Sequence, residues 1–76
     1  MNKASLSGVV VGLEKTKTGN EIRVAVQSEM TVIHVVCHDI QNLNVARTLT
    51  IGSPVTVNGK IGGASTVFSD EIIMEN

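Results

Sequence analysis

Cys37, His34 and His38 are the only thiol and imidazole groups in the chain. A cysteine nucleophile needs a base and a group to orient that base, and no such partners are evident in the sequence. One cysteine and two histidines are too few for a zinc site. The chain also lacks an acid–base pair, metal-ligand spacing and a phosphate-cradling glycine loop, since "GG" at 62–63 reads as a turn. The expectation is a protein that is not an enzyme and carries no cofactor.

Cations offer different chemistry. Lys15 and Lys17 lie in the polar stretch "EKTKTGN" (14–20), where lysines can reach phosphates or simply face solvent. Arg23 stands at an outward position of an alternating strand, able to bond a phosphate, stack on a base or pair with Glu21. His34 and His38 share a face with Val36 between them. An imidazole there can stack on a base, although the apolar company of Val32 and Val36 favours a covered, interfacial surface. Lys60 and Phe68 flank a closing loop. Lys60 is a candidate for phosphate, and Phe68, the one aromatic, is expected in the core. The candidate nucleic-acid contacts are therefore Lys15, Lys17, Arg23, His34 and Lys60.

Composition argues against a dedicated nucleic-acid binder. Six basic residues face seven acidic ones, for a net charge of −1. Such binders usually carry a basic excess, and single strands are usually held by stacked aromatics. A chain of 76 residues is one domain, 1–76, near the lower size limit for a self-sufficient core. With a single cysteine it has no internal disulfide, so oligomerisation is the remaining source of stability. Nothing at Met1–Ser7 resembles an export signal, and no apolar run approaches a membrane span. A cytoplasmic protein with no membrane partner is expected.

The elements that position these residues are strands. In "ASLSGVVVGL" (4–13), Ala4 and Leu6 follow one phase while Val9, Val11 and Leu13 follow the other, which predicts a bulge or bend at Gly8. "EIRVAVQS" (21–28) alternates, with Ile22, Val24 and Val26 inward. "EM" (29–30) predicts a hairpin into "TVIHVVCH" (31–38), whose inward set is Ile33, Val35 and Cys37. "DIQNLNVARTL" (39–49) predicts a short helical turn or irregular crossing without a strong cap. "SPVTVNGKI" (53–61) alternates through Val55, Val57 and Ile61, and "TVFSDEIIME" (66–75) ends the chain with Phe68, Ile72 and Met74 inward. Three strands, a crossing and two strands predict an all-β, five-stranded Greek-key barrel, the OB-fold. An SH3-like barrel would not normally place its crossing between strands three and four.

The stretch "MTVIHVVCHDIQN…TLTIGSPVTVNGKI" (30–61) resembles the bacterial primosomal replication protein N family, dimeric relatives of the bacterial single-stranded-DNA-binding proteins. The matching positions are Met30, Val32 and Ile33, the turn Thr50–Ser53, and Val55, Thr56, Val57, Gly59 and Ile61. "LSGVV" (6–10) and "SDEIIME" (69–75) resemble that family's first and last strands. The resemblance implies an OB-fold dimer that binds single-stranded DNA, with RNA left open, among replication or recombination proteins. The chain departs from the family in two loops: "QSEM" and "IGGASTV" replace a long loop and a lysine-rich one. Two functions follow. One is weak binding of single-stranded nucleic acid in an accessory role in replication or recombination. The other is a protein-interaction OB-fold that works as an oligomeric or scaffold subunit.

Overall fold

A computed structural model describes residues 2–75 and shows a closed barrel of five strands. The strands are β1 (Lys3–Lys15), β2 (Ile22–Ser28), β3 (Thr31–Cys37), β4 (Pro54–Gly63) and β5 (Thr66–Met74), with α1 (Ile40–Ala46) between β3 and β4. Their order around the barrel is β1-β2-β3-β5-β4, and only β3 and β5 run parallel. This is the Greek-key OB-fold expected. The alternation of β2 and β3 places Ile22, Val24, Val26, Val35 and Cys37 in one core with Val10, Val55, Val57, Val67 and Ile72.

Closure depends on β1 serving two neighbours. Its first half, through Val9, pairs with β4, and its second half, from Val9 onward, pairs with β2. The bulge falls at Val11, between Val10 and Gly12, and not at Gly8. Gly8 instead permits a close approach: a Cβ there would lie 2.2 Å from the Gln27 carbonyl oxygen, so β2 passes directly over it. Because the phase is unbroken from Ala4 through Val10, Val9 and Val11 remain outside, and Leu13 at the barrel end is also exposed. The type of turn at Thr50–Ser53 explains the join. Gly52 takes φ +97°, its N–H donates to the Val10 carbonyl, and the Val10 N–H donates to the Ser53 carbonyl. The turn thus satisfies β1 where β4 leaves it.

The crossing is capped after all. Asp39 accepts a hydrogen bond from the Asn42 N–H at 2.8 Å, as an N-cap residue does. Asn42 is buried with every side-chain group occupied: its Nδ2 donates to both Asp39 oxygens and the Asp70 carbonyl, and its Oδ1 accepts from Ser69. Leu43, Ala46 and Leu49 close that end of the barrel, while Ile40 stays exposed.

On β5 the inward set is Val67, Ser69 and Ile72. A bulge at Asp70, where the register with β4 shifts, moves the phase between Ser69 and Ile72. Phe68 is therefore on the outer face, 43% exposed, contrary to the core position expected for it; Ile61 and Met74 are also exposed.

Cys37 is fully enclosed in the core. Burial, with the Asp39 carboxylate adding to it, pushes its thiol up to about 11. The thiol stays protonated and should resist an aromatic disulfide reagent until the chain unfolds. Its folded pKa exceeds the unfolded value, so its contribution to stability is complete below pH 9.0 and is lost as pH rises toward about 11. Cys37→Ala should flatten that alkaline decline in a pH series of urea melts; an unchanged decline would contradict the assignment.

Candidate nucleic-acid interface

The register of the barrel sorts the outward side chains into rows. One row runs Gly12, Ala25, His34 and Thr66 across β1, β2, β3 and β5. The next runs Glu14, Arg23, Val36, Phe68, Lys60 and Lys3, crossing all five strands and returning to β1. Arg23, His34 and Lys60 from the expected set all stand on these outward rows, as do Phe68 and Lys3.

Between the two rows lies an open trough of about 350 Å³, lined by Gly12, Leu13, Glu14, Arg23, Ala25, His34 and Thr66. Its floor is open because Gly12 and Ala25 are small; a Cβ on Gly12 would meet the Ala25 Cβ at 3.3 Å. Arg23 and His34 stand at its sides. A floor of small side chains between a guanidinium and an imidazole leaves room for a flat ring to lie against the sheet.

Charge at this end is nearly balanced. Arg23 Nε donates to Glu21 Oε2 at 3.0 Å, and Glu14 stands directly across from it on β1. The arginine's side chain is nonetheless 57% exposed, so its remaining donors face solvent. Lys15 borders a smaller depression with Glu14, Thr16, Glu21 and Arg23. Lys17 is exposed on the turn that follows, which is held by the Gly19 N–H donating to the Thr16 carbonyl and by Arg47 reaching the Gly19 carbonyl. Lys15 thus adjoins Arg23 in the depression next to the trough, Lys17 lies on the turn after β1, and Lys60 stands away from both on β4.

His34 and His38 are both exposed, so the covered surface expected around them is limited to Val36, which is 2% exposed and outside the core cluster. Nothing in composition could reveal Phe68 as a surface residue. The bulge at Asp70 decides its side, and a bulge is set by the partner strand. Among the described residues, no three His, Cys, Asp or Glu side chains cluster to hold a metal. No helix of the described residues is long and apolar enough to cross a membrane.

No family model and no curated protein matches the sequence. Solved structures do resemble the barrel. An asparaginyl-tRNA synthetase from Pyrococcus horikoshii matches 95% of this chain with a TM-score of 0.83 and 18% identity. That match spans only 19% of the synthetase. The mitochondrial single-stranded-DNA-binding protein Rim1 of S. cerevisiae matches over 95% of this chain and 91% of its own, at a TM-score of 0.81 and 11% identity. The small single-stranded-DNA-binding protein of Streptomyces coelicolor matches 96% of this chain and 90% of its own, at a TM-score of 0.72 and 17% identity. At these identities the likeness is one of fold: all share the OB-fold barrel.

Proposed function

We propose that this chain binds single-stranded nucleic acid, DNA first and RNA with it, along the outer face of β1, β2 and β3. The observation that carries this reading is the trough between Arg23 and His34, floored by Gly12 and Ala25. A base lies on the floor, Arg23 and His34 flank it, and Lys15 and Lys17 meet the phosphates beside it. The full-length barrels of the yeast mitochondrial and Streptomyces single-stranded-DNA-binding proteins support the reading. Binding is weak, because Arg23, the one lysine or arginine lining the trough, is paired with Glu21 and faced by Glu14.

Within this reading the chain is a cytoplasmic, non-enzymatic accessory to replication or recombination, and its kinship to primosomal replication protein N is part of the proposal. It acts as a dimer or larger assembly. Val9, Val11 and Ile51 are exposed around the β1 bulge, where Val9 stands opposite Pro54. That apolar surface favours contact with a second copy and also carries the alternative of a protein-interaction barrel.

Filling the trough tests the proposal. Ala25 is half-buried on the outer face, so Ala25→Leu should leave the fold intact while covering the floor. Binding of a fluorescein-labelled single strand at low salt should fall about tenfold or more, in line with the loss of one stacked base. Undiminished binding by a folded Ala25→Leu variant would place the strand elsewhere.

A further inference from the structure

We infer that Phe68, Lys60 and Lys3 form a second nucleotide subsite farther along the outward row, on β5, β4 and the start of β1, one that stacks a base on Phe68 and holds the adjoining phosphate between the lysines. The inference rests on the proposed single-strand binding and assigns it a further contact on β4 and β5.

Phe68 is the only aromatic residue in the chain. A small core has most to gain from burying it, yet the ring is presented to solvent beside two cations. Its position is built: the ring carbons Cδ2 and Cε2 occupy the space where a side chain at Gly62 would stand, at 2.6 and 2.1 Å from an ideal Cβ. Glycine at 62 therefore lets the ring lie against the β4 backbone, which holds it as a platform.

The lysines are placed by register. Lys60 lies directly opposite Phe68, and Lys3 lies directly opposite Lys60. Like charges facing one another across an antiparallel pair are destabilising. No described carboxylate comes within 4.0 Å of either lysine. A bound phosphate would relieve that repulsion. Adjacent strands are about 4.8 Å apart, so the row from ring to Lys3 spans about 10 Å, the scale of one base with its phosphate. Asp70 borders a depression with Lys3, and Glu71 faces Asn58. These carboxylates repel a phosphate from that flank and confine it to the lysine row. Stacking and point charges read no base identity, so the subsite accepts any single strand.

Because the chain has no tryptophan or tyrosine, Phe68→Trp installs a unique fluorophore at the platform. Its emission should be quenched on titration with oligothymidylate at low salt, in parallel with the anisotropy of the labelled strand. Ile51→Trp, an exposed position on the turn beside β1, should show no quenching. Phe68→Leu keeps apolar bulk and removes the ring; it should weaken binding about tenfold, and Lys60→Glu should weaken it by a similar factor. Full-strength anisotropy binding with unchanged indole emission from the Phe68→Trp variant, or with no loss in Phe68→Leu, would overturn the subsite and leave the trough reading standing. No binding by the wild-type chain at all would overturn both.

Discussion

Gly8→Ala should remove most of the chain's folding stability. A Cβ at position 8 would sit 2.2 Å from the Gln27 carbonyl oxygen and 2.9 Å from its carbon, where ordinary Cβ contacts begin at 3.4 Å. These are backbone atoms of β2, so no side chain can rotate away. Relief requires moving β2 from β1 where Val9 pairs with Gln27 and Val10 with Val26, and Val10 and Val26 are both fully buried. Overpacking usually costs about 1–3 kcal/mol, and displacement of a strand lies at or beyond the upper end. A domain this small holds about 3–5 kcal/mol in reserve. Gly63→Ala is the contrast, since a Cβ there meets nothing within 4 Å. That variant should be as stable as the parent or about 0.4–1 kcal/mol more so, through a less mobile unfolded chain. Circular dichroism with urea titration reads both. A cooperative melt of Gly8→Ala at the parent's midpoint would contradict the crossing described here.

Arg23→Ala combined with Lys17→Ala should remove most of the affinity for single strands while leaving the barrel folded. Both side chains are exposed, and neither contributes to the core. If the proposed site neutralises about three phosphates, the slope of log K against log salt is about −2, at about −0.7 per phosphate. Losing two of the three should bring the slope to about −0.7 and lower affinity at low salt by about 100-fold, at roughly 1.5 kcal/mol for each charge-assisted bond. The loss of Arg23 also releases Glu21, whose carboxylate would then face the strand unpaired. A double variant that keeps the parent's slope would show that these two residues are not the contacts.

The barrel was legible because β2 keeps a strict two-residue period and β3, though apolar on both faces, follows it, so that their inward sets all stand in or against the core. The two-residue connection at Glu29–Met30 was equally plain, and so was the crossing between β3 and β4. Bulges were not legible. At Val11 and at Asp70 one extra residue shifts the phase, and only the facing strand reveals which residue is extra. Reading β5 in one phase placed Phe68 in the core, which hid the platform and its lysines. Asp39 was missed as a cap because its value depends on Asn42, whose amide joins the helix start to Ser69 and the Asp70 carbonyl. Of the site, the cations were visible by type. Their grouping was not, because cross-strand neighbours such as Glu14 and Arg23, or Lys3 and Lys60, are set by register rather than by sequence distance.

The most direct measurement is the fluorescence anisotropy of a labelled single strand of about 30 nucleotides, long enough for two OB-folds at up to about 16 each, titrated with the wild-type chain across a salt series. Single-strand binding along the outer face of β1, β2 and β3 predicts saturable binding at low salt that weakens about 20-fold when salt rises fourfold. No change in anisotropy at the lowest salt would contradict it and leave the protein-interaction barrel as the better reading.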